Sequence, residues 1–450
     1  MNLALSVLCT LSYGVNTVAS GNWSNGAIWN TGTPPTAGQP VIISSGHTVS
    51  VDVNTVIVGD ITVQAGATLQ TINTGSSNLS YSGHLYVFGT LSNYGGIEQT
   101  SATNKTFQLG SGATYIHNPK NVTALDETIF SKSNEVFAST SNLIINKWFN
   151  LTLALGDNSR VQEPATFGNV TIEITDILPW EQNGMFMSSA GTKRIMGTLR
   201  VKGGIVRMDN GYNLTTYLEL NDVYVETTGS IIFNSGDDRS LFLAMNNFYH
   251  TSTSTNYTVI SDSCFGPITW QISGTCLIGG NFYGIRGSEK EPGAHFTLNA
   301  ASLIINGGDV RFVRRAFAPC TISIAGNADI SGNPSAVRFI EGCNGNLLFS
   351  ANNLQISGGM NNVFAGGTTG LPKYNGTATI NLAGTLSVTG NSSTHFLISD
   401  STTNKLTVTA GAINLSSPNA LLVMASSRGP VTVRTNGSFT ITNGMFAGQT

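Results

Sequence analysis

Residues able to do chemistry are sparse in this chain. The densest group is Asp237-Asp238-Arg239, with Asp222 or Glu219 about one repeat earlier. Grouped carboxylates can bind Ca2+ or act as acid and base, while an arginine holds a substrate carboxylate. The Asn-Ser-Gly-Asp-Asp run that carries them is also ordinary turn chemistry. A second group is Arg311 with Arg338, two like charges at matching repeat positions and a candidate anion or carbohydrate contact. Lys193, Arg194, Arg200, Lys202 and Arg207 make one locally basic stretch whose nearby acid is Asp209. Six histidines are scattered, and no HExxH, GxSxG, phosphate loop or metal-type CxxC occurs. These patterns predict no catalytic site, no metal and no cofactor. Ca2+ enters only if the Asp237-Asp238 cluster is a site.

The elements that would position these residues are legible from a repeat. Leu303-Ile304-Ile305, Ala328-Asp329-Ile330, Leu354-Gln355-Ile356, Leu386-Ser387-Val388, Ile413-Asn414-Leu415 and Phe439-Thr440-Ile441 begin 25, 26, 32, 27 and 26 residues apart. Each has an apolar pair six to eight residues earlier, from Phe296/Leu298, Ile322/Ile324 and Leu347/Phe349 to Val431/Val433. A third apolar cluster follows at Phe312, Phe339, Phe364, Phe396, Leu422 and Phe446. A repeat this short cannot bury its own apolar face and must stack on its neighbours. The pattern predicts an all-β chain, a right-handed parallel β-helix with three short strands per rung of about 25 residues. The 32-residue step is assigned to a loop projecting from Ala365 to Lys373.

In this register several distant residues become neighbours. Arg314 falls opposite Glu341 as a matched pair, whereas Arg311 and Arg338 stand together unmatched. Cys320 and Cys343 fall in corners of adjacent rungs, where their Cα atoms can approach the ~5.5 Å a disulfide needs. They are a disulfide candidate, with two buried thiols as the alternative.

Composition supports a scaffold. Only 10% of the residues are charged, 40% are hydrophobic, and 51 of 450 are glycine. In a parallel ladder like charges would stack and repel, while Asn, Ser and Thr can bond in rows. A net charge of −3 gives no electrostatic footprint for nucleic acid. Residues 1–20 read as a candidate secretory signal. No other stretch has the ~18 consecutive apolar residues of a membrane helix. Residues 21–75 read as an N-terminal cap, with Trp23 and Trp29 over the core's open end and Gly46 and Gly66 at tight corners. Residues 76–191 read as less regular, with a side insertion near 118–141, and 192–450 as regular rungs that stop without a cap.

The run Trp23-x5-Trp29-x2-Gly32, then Pro40-Val41-Ile42-Ile43, Gly46-His47-Thr48-Val49, Ile61-Thr62-Val63 and Ala67-Thr68-Leu69, resembles large β-helical surface proteins of Bacteroidetes-type bacteria. Gly112-Ala113-Thr114-Tyr115-Ile116-His117-Asn118, Trp148-Phe149-Asn150-Leu151 and Gly197-Thr198-Leu199 with Gly203-Gly204 extend the likeness. The resemblance implies export by type IX secretion and display at the cell surface as an adhesin or stalk. The chain departs from that pattern in showing no C-terminal sorting domain, and rungs that stop mid-pattern are expected to continue into a longer polypeptide. Stacked Asn, Thr and aromatic rows make glycans or other extracellular ligands the expected partners. The rival expectation is a polysaccharide lyase or glycoside hydrolase built on the same fold.

Overall fold

The computed structural model describes residues 14–450 except 74–76, 102–104, 121–127, 132, 148–164, 175–184, 187–190, 209–215, 236–239, 263–265, 287–294, 315–318, 342–344, 359–361, 367–373, 375, 390–392, 399–403, 417–420, 427–428, 443–444 and 448–450. It is an all-β solenoid of parallel strands, with about 11 turns of about 26 residues each. The chain divides into two compact units, one of residues 1–150 with 159–162 and one of residues 151–158 with 163–450. No helix among the described residues is long and apolar enough to cross a membrane.

In the first unit, the side that begins at Val41–Ile43 stacks Ile61–Val63, Leu85–Val87, Lys105–Leu109 and Ser133–Phe137 in parallel register. Burial alternates along each short strand, as in Val41, Ile43, Ile61 and Val63, all at most 1% exposed. Side chains on a strand point to opposite faces, so every second residue enters the core. The steps between equivalent positions are 20 (Val41 to Ile61), 24 (Ile61 to Leu85), 22 (Leu85 to Phe107) and 28 residues (Phe107 to Glu135). The coils up to Ile145 therefore remain stacked while their strands and turns vary in length. Gly46 and Gly66 take φ of +79° and +75° at equivalent corners, a conformation that costs other residues. Val15–Asn16 already pairs with Val41–Ile42, so the end of the candidate signal stretch lies in the first sheet. Trp23 and Trp29 are each 2% exposed and meet edge to face at 4.9 Å, and Trp29 Nε1 donates to the Trp23 carbonyl.

The expected side insertion takes a different form. Ser133–Phe137 is an ordinary strand of the stack, and the Thr128–Ser131 helical turn sends Phe130 inward. That ring packs 6.0 Å from Phe107 and 5.9 Å from Tyr115, both core residues. A turn of helix thus fills core space instead of packing on the outside.

In the second unit each coil presents a two-armed first side and a separate third side. Thr216–Val225, Ile268–Ile278 and Phe296–Ile305 run unbroken through the corner between the arms, whereas Cys320–Ile324 and Asn327–Ile330 are two strands. The third side is an 11-stranded parallel sheet from Met185–Phe186 to Met445–Ala447. The triplets at 303, 328, 354, 386, 413 and 439 stack as expected. Several registers differ, and Leu347 and Leu406 both lie opposite Ala378 where Ile380 is expected. Phe296 lies opposite Cys320 and Leu298 opposite Ile322, so the first arm is shifted by two residues from the expected match with Ile322/Ile324. A two-residue shift keeps every side chain on its face, which is why the apolar pattern alone does not detect it. Leu422 lies opposite Thr394 and not opposite Phe396. Of the expected 365–373 loop, Ala365 and Gly366 belong to the strand Asn362–Gly366, and 367–373 lie outside the described residues. Inside the third side, Phe312 stacks on Phe339 at 5.1 Å and 2°, and Phe339 on Phe364 at 4.5 Å.

Candidate functional site

The third side holds the first candidate. Arg311 and Arg338 lie opposite each other, and Arg314 lies opposite Glu341. Phe312 and Val313 are both fully buried, so the strand carries two inward residues in succession, and Arg311 and Arg314 both face outward. Arg311 is not unmatched. Its Nε and Nη2 form a fork on Asp309 at 2.9 and 2.7 Å, and its Nη1 donates to Glu341 at 3.1 Å. Arg338 Nη1 donates to the other oxygen of Glu341 at 2.6 Å, and Arg314 Nε sits 3.4 Å from that carboxylate. Glu341, 1% exposed, thereby gathers three guanidinium groups.

Aromatic residues close this network. Tyr257 donates to Asp309 at 2.8 Å and packs on Tyr283 with ring centres 4.3 Å apart. Arg314 Nη1 donates to the Tyr283 hydroxyl at 2.9 Å, and both Arg311 and Arg314 lie within 6 Å of that ring, at 5.7 and 5.9 Å. Burial, then the hydrogen bond to Asp309, pushes the Tyr257 hydroxyl well above its ordinary range. Burial alone would make Arg311 easier to deprotonate, but Asp309 and Glu341 outweigh it and raise its value. Chemically, this is a charge-compensated staple across strands. Its bonded donors meet its own carboxylates and the Tyr283 hydroxyl.

The basic stretch is compensated in the same way. Arg194 pairs with Glu219 and Arg200 with Glu226, each from the next coil, while Lys202 Nζ lies 3.8 Å from Glu173 of the preceding one. The side chains of Lys193 and Arg207 lie outside the described residues. The expectation of a basic rung with no acid beyond Asp209 is corrected: Glu219, Glu226 and Glu173 are about a coil away in sequence, where reading along one rung does not find them. Asp209 lies outside the described residues.

The second candidate was not singled out by sequence. An open groove of about 840 Å³ follows the corner between the two arms of the second unit, from Glu219 to Ser350. One wall is a register file: Glu219, Ala244, Gln271, Asn299, Ser323 and Ser350 succeed one another on adjacent strands. The floor is apolar, with Met245, Ile272, Ala300 and Ile324 each 3–5% exposed. Two positions before this wall, on the same face, Tyr217 and Phe242 stack at 4.6 Å with planes 1° apart. On the second arm Tyr224 stacks on Tyr249 at 4.9 Å, with Arg200 lying 4.4 Å over Tyr224. A mix of Ser, Asn and Ala along a sequence is unremarkable, and only stacking turns it into a continuous wall.

The remaining expected residues fall as follows. Asp237, Asp238 and Arg239 lie outside the described residues. Asp222 accepts from Asn246 and Asn247 at 3.1 and 2.8 Å and serves the corner. Cys320 begins the strand Cys320–Ile324 and is fully buried, whereas Cys343, and with it the candidate disulfide, lies outside the described residues. Among the described residues no group of three or more His, Cys, Asp or Glu is placed to hold a metal ion. No family model matches the chain, and no curated protein or solved structure matches it either.

Proposed function

We propose that this chain is a non-catalytic β-solenoid scaffold of a bacterial cell surface, an adhesin or stalk that meets extracellular glycans along its long faces. One observation carries the reading: the charged clusters around Glu341, Glu219 and Glu226 in the second unit are paired across neighbouring coils. Such charges hold the stack together and leave long outward files of Thr, Ser and Asn as the surface a partner meets. The N-terminal likeness to surface β-helix proteins supports extracellular location and export by type IX secretion.

The rival reading is a polysaccharide lyase or hydrolase, which needs carboxylates converging within about 5–9 Å in a groove. The carboxylate lining the corner groove is Glu219, and Arg194 holds it. The test is to incubate the purified chain with pectin-like, alginate-like and neutral polysaccharides, following polymer length and retention together. Retention without shortening is expected. Shortening that disappears in Asp238→Asn would overturn the scaffold reading.

A further inference from the structure

We infer that the corner groove from Glu219 to Ser350 is a binding site for an uncharged, extended polysaccharide lying along the stacking direction. The inference rests on the scaffold reading and adds to it a site and a class of ligand. Size is the first argument. The wall file crosses six strands, and five steps of about 4.8 Å make roughly 24 Å, a length suited to a polymer segment. A drug-sized molecule would be enclosed on most sides, and this groove is open.

Chemistry is the second argument. On the four successive strands from Gln271 to Ser350 the wall carries an amide or hydroxyl group at each step, and Ser350 donates to Ser323 at 3.4 Å within it. An extended chain of pyranose rings offers hydroxyls at a comparable repeat on its edges and apolar C–H faces between them. Met245, Ile272 and Ile324 provide the apolar floor for those faces. Phe242 is stacked on Tyr217 on one side, while the next residue of its file is the smaller Thr269. A sugar ring can seat against the aromatic face on that side.

Charge and backbone exclude the competitors. Glu219 is the charged lining residue, and it is paired with Arg194 at one end of the groove. A polyuronate would therefore find a carboxylate there and amides and hydroxyls elsewhere, with no cation among the lining residues. An extended peptide binds by adding to a sheet edge, but the strands under the groove from Leu241–Met245 to Cys320–Ile324 are bonded on both sides.

The test measures binding of β-linked neutral hexasaccharides of glucose, mannose or xylose, an oligogalacturonate and an unstructured peptide to the full chain and to Ser323→Trp. A Gln271→Ala/Asn299→Ala double variant serves as a second probe, because it removes the amides without adding bulk. The expected result is binding of at least one neutral hexasaccharide, weakened tenfold or more in both variants at unchanged melting temperature. Stronger binding of the oligogalacturonate or the peptide overturns the inference, as does neutral binding that neither variant weakens, or no binding at all. Cleavage of a bound sugar would instead sink the scaffold reading and leave the groove assignment standing.

Discussion

At the scale of single residues, Glu341 and His250 show how burial sets the chemistry. Glu341 is 1% exposed and faces Arg311, Arg338 and Arg314. Removing one partner of a buried charge network leaves the others uncompensated, which costs about 3–5 kcal/mol. Glu341→Ala should therefore lower stability by about that amount, more than Arg338→Ala, and thermal unfolding of the two variants checks the order. His250, 1% exposed, lies with Nε2 3.2 Å from the Thr258 hydroxyl, and burial pushes its pKa down to about 4. The unfolded chain takes up the proton near pH 6.5 while the folded chain resists it, so stability is full above about 6.5 and falls as the pH drops toward 4. Between pH 7 and 5 the loss should be about 2 kcal/mol. The melting temperature of His250→Gln should fall less over that interval than that of the unaltered chain, and equal falls would refute the assignment.

The arginine pair also shows where sequence reasoning stops. The repeat made the Arg311–Arg338 neighbourhood legible, because spacing alone sets a register. It did not show that Glu341 serves both, which depends on the two successive inward residues Phe312 and Val313 that bring Arg311 and Arg314 to one face. Periodicity reports which residues recur; it does not report where long side chains converge.

At the scale of elements, the corners are held by asparagine. Asn353 Oδ1 accepts from the backbone N–H of Thr385 in the next coil at 2.7 Å, and its Nδ2 donates to Asn327 of the previous coil at 2.9 Å. Asn247 works the same way between Thr275 and Asp222, at 2.8 Å each. One side chain thus joins three coils at the point where the strand ladder bends and its own bonds are interrupted. Asn353→Ala should cost about 1–3 kcal/mol, since the Thr385 N–H loses its acceptor. Asn353→Asp, which keeps the acceptor, should recover part of the loss, and denaturation midpoints separate the two. The abundance of Asn was visible in composition, and its role at corners followed from register once the coils were stacked. The Thr128–Ser131 turn was less legible because its helix is too short for a 3.6-residue pattern to stand out.

At the scale of the whole molecule, fold and site differ in how they are written in the chain. The fold is encoded by inward residues that recur at every coil, so six copies of the same signal reinforce one another. The groove is encoded by Gln271, Asn299, Ser323 and Ser350, which are not one recurring residue type and succeed one another at 28, 24 and 27 residues only as the coils require. Hydroxyl and amide residues are common on this surface, and nothing along the chain marks these four. Low net charge has a matching effect, since a partner recognised by hydroxyls and ring faces is met without long-range steering.

The Asn353 arrangement, in which each coil is tied only to the coil before and the coil after, makes the groove modular in length. Duplication of one coil-sized segment within Phe296–Ile356 would insert another strand beneath the wall and one more amide or hydroxyl step above it. The chemistry offered to each sugar would stay the same while the number of sugars gripped increased. Affinity for a long polymer would then be set by the number of coils, a quantity that gain or loss of one coil-sized segment changes without altering any single contact.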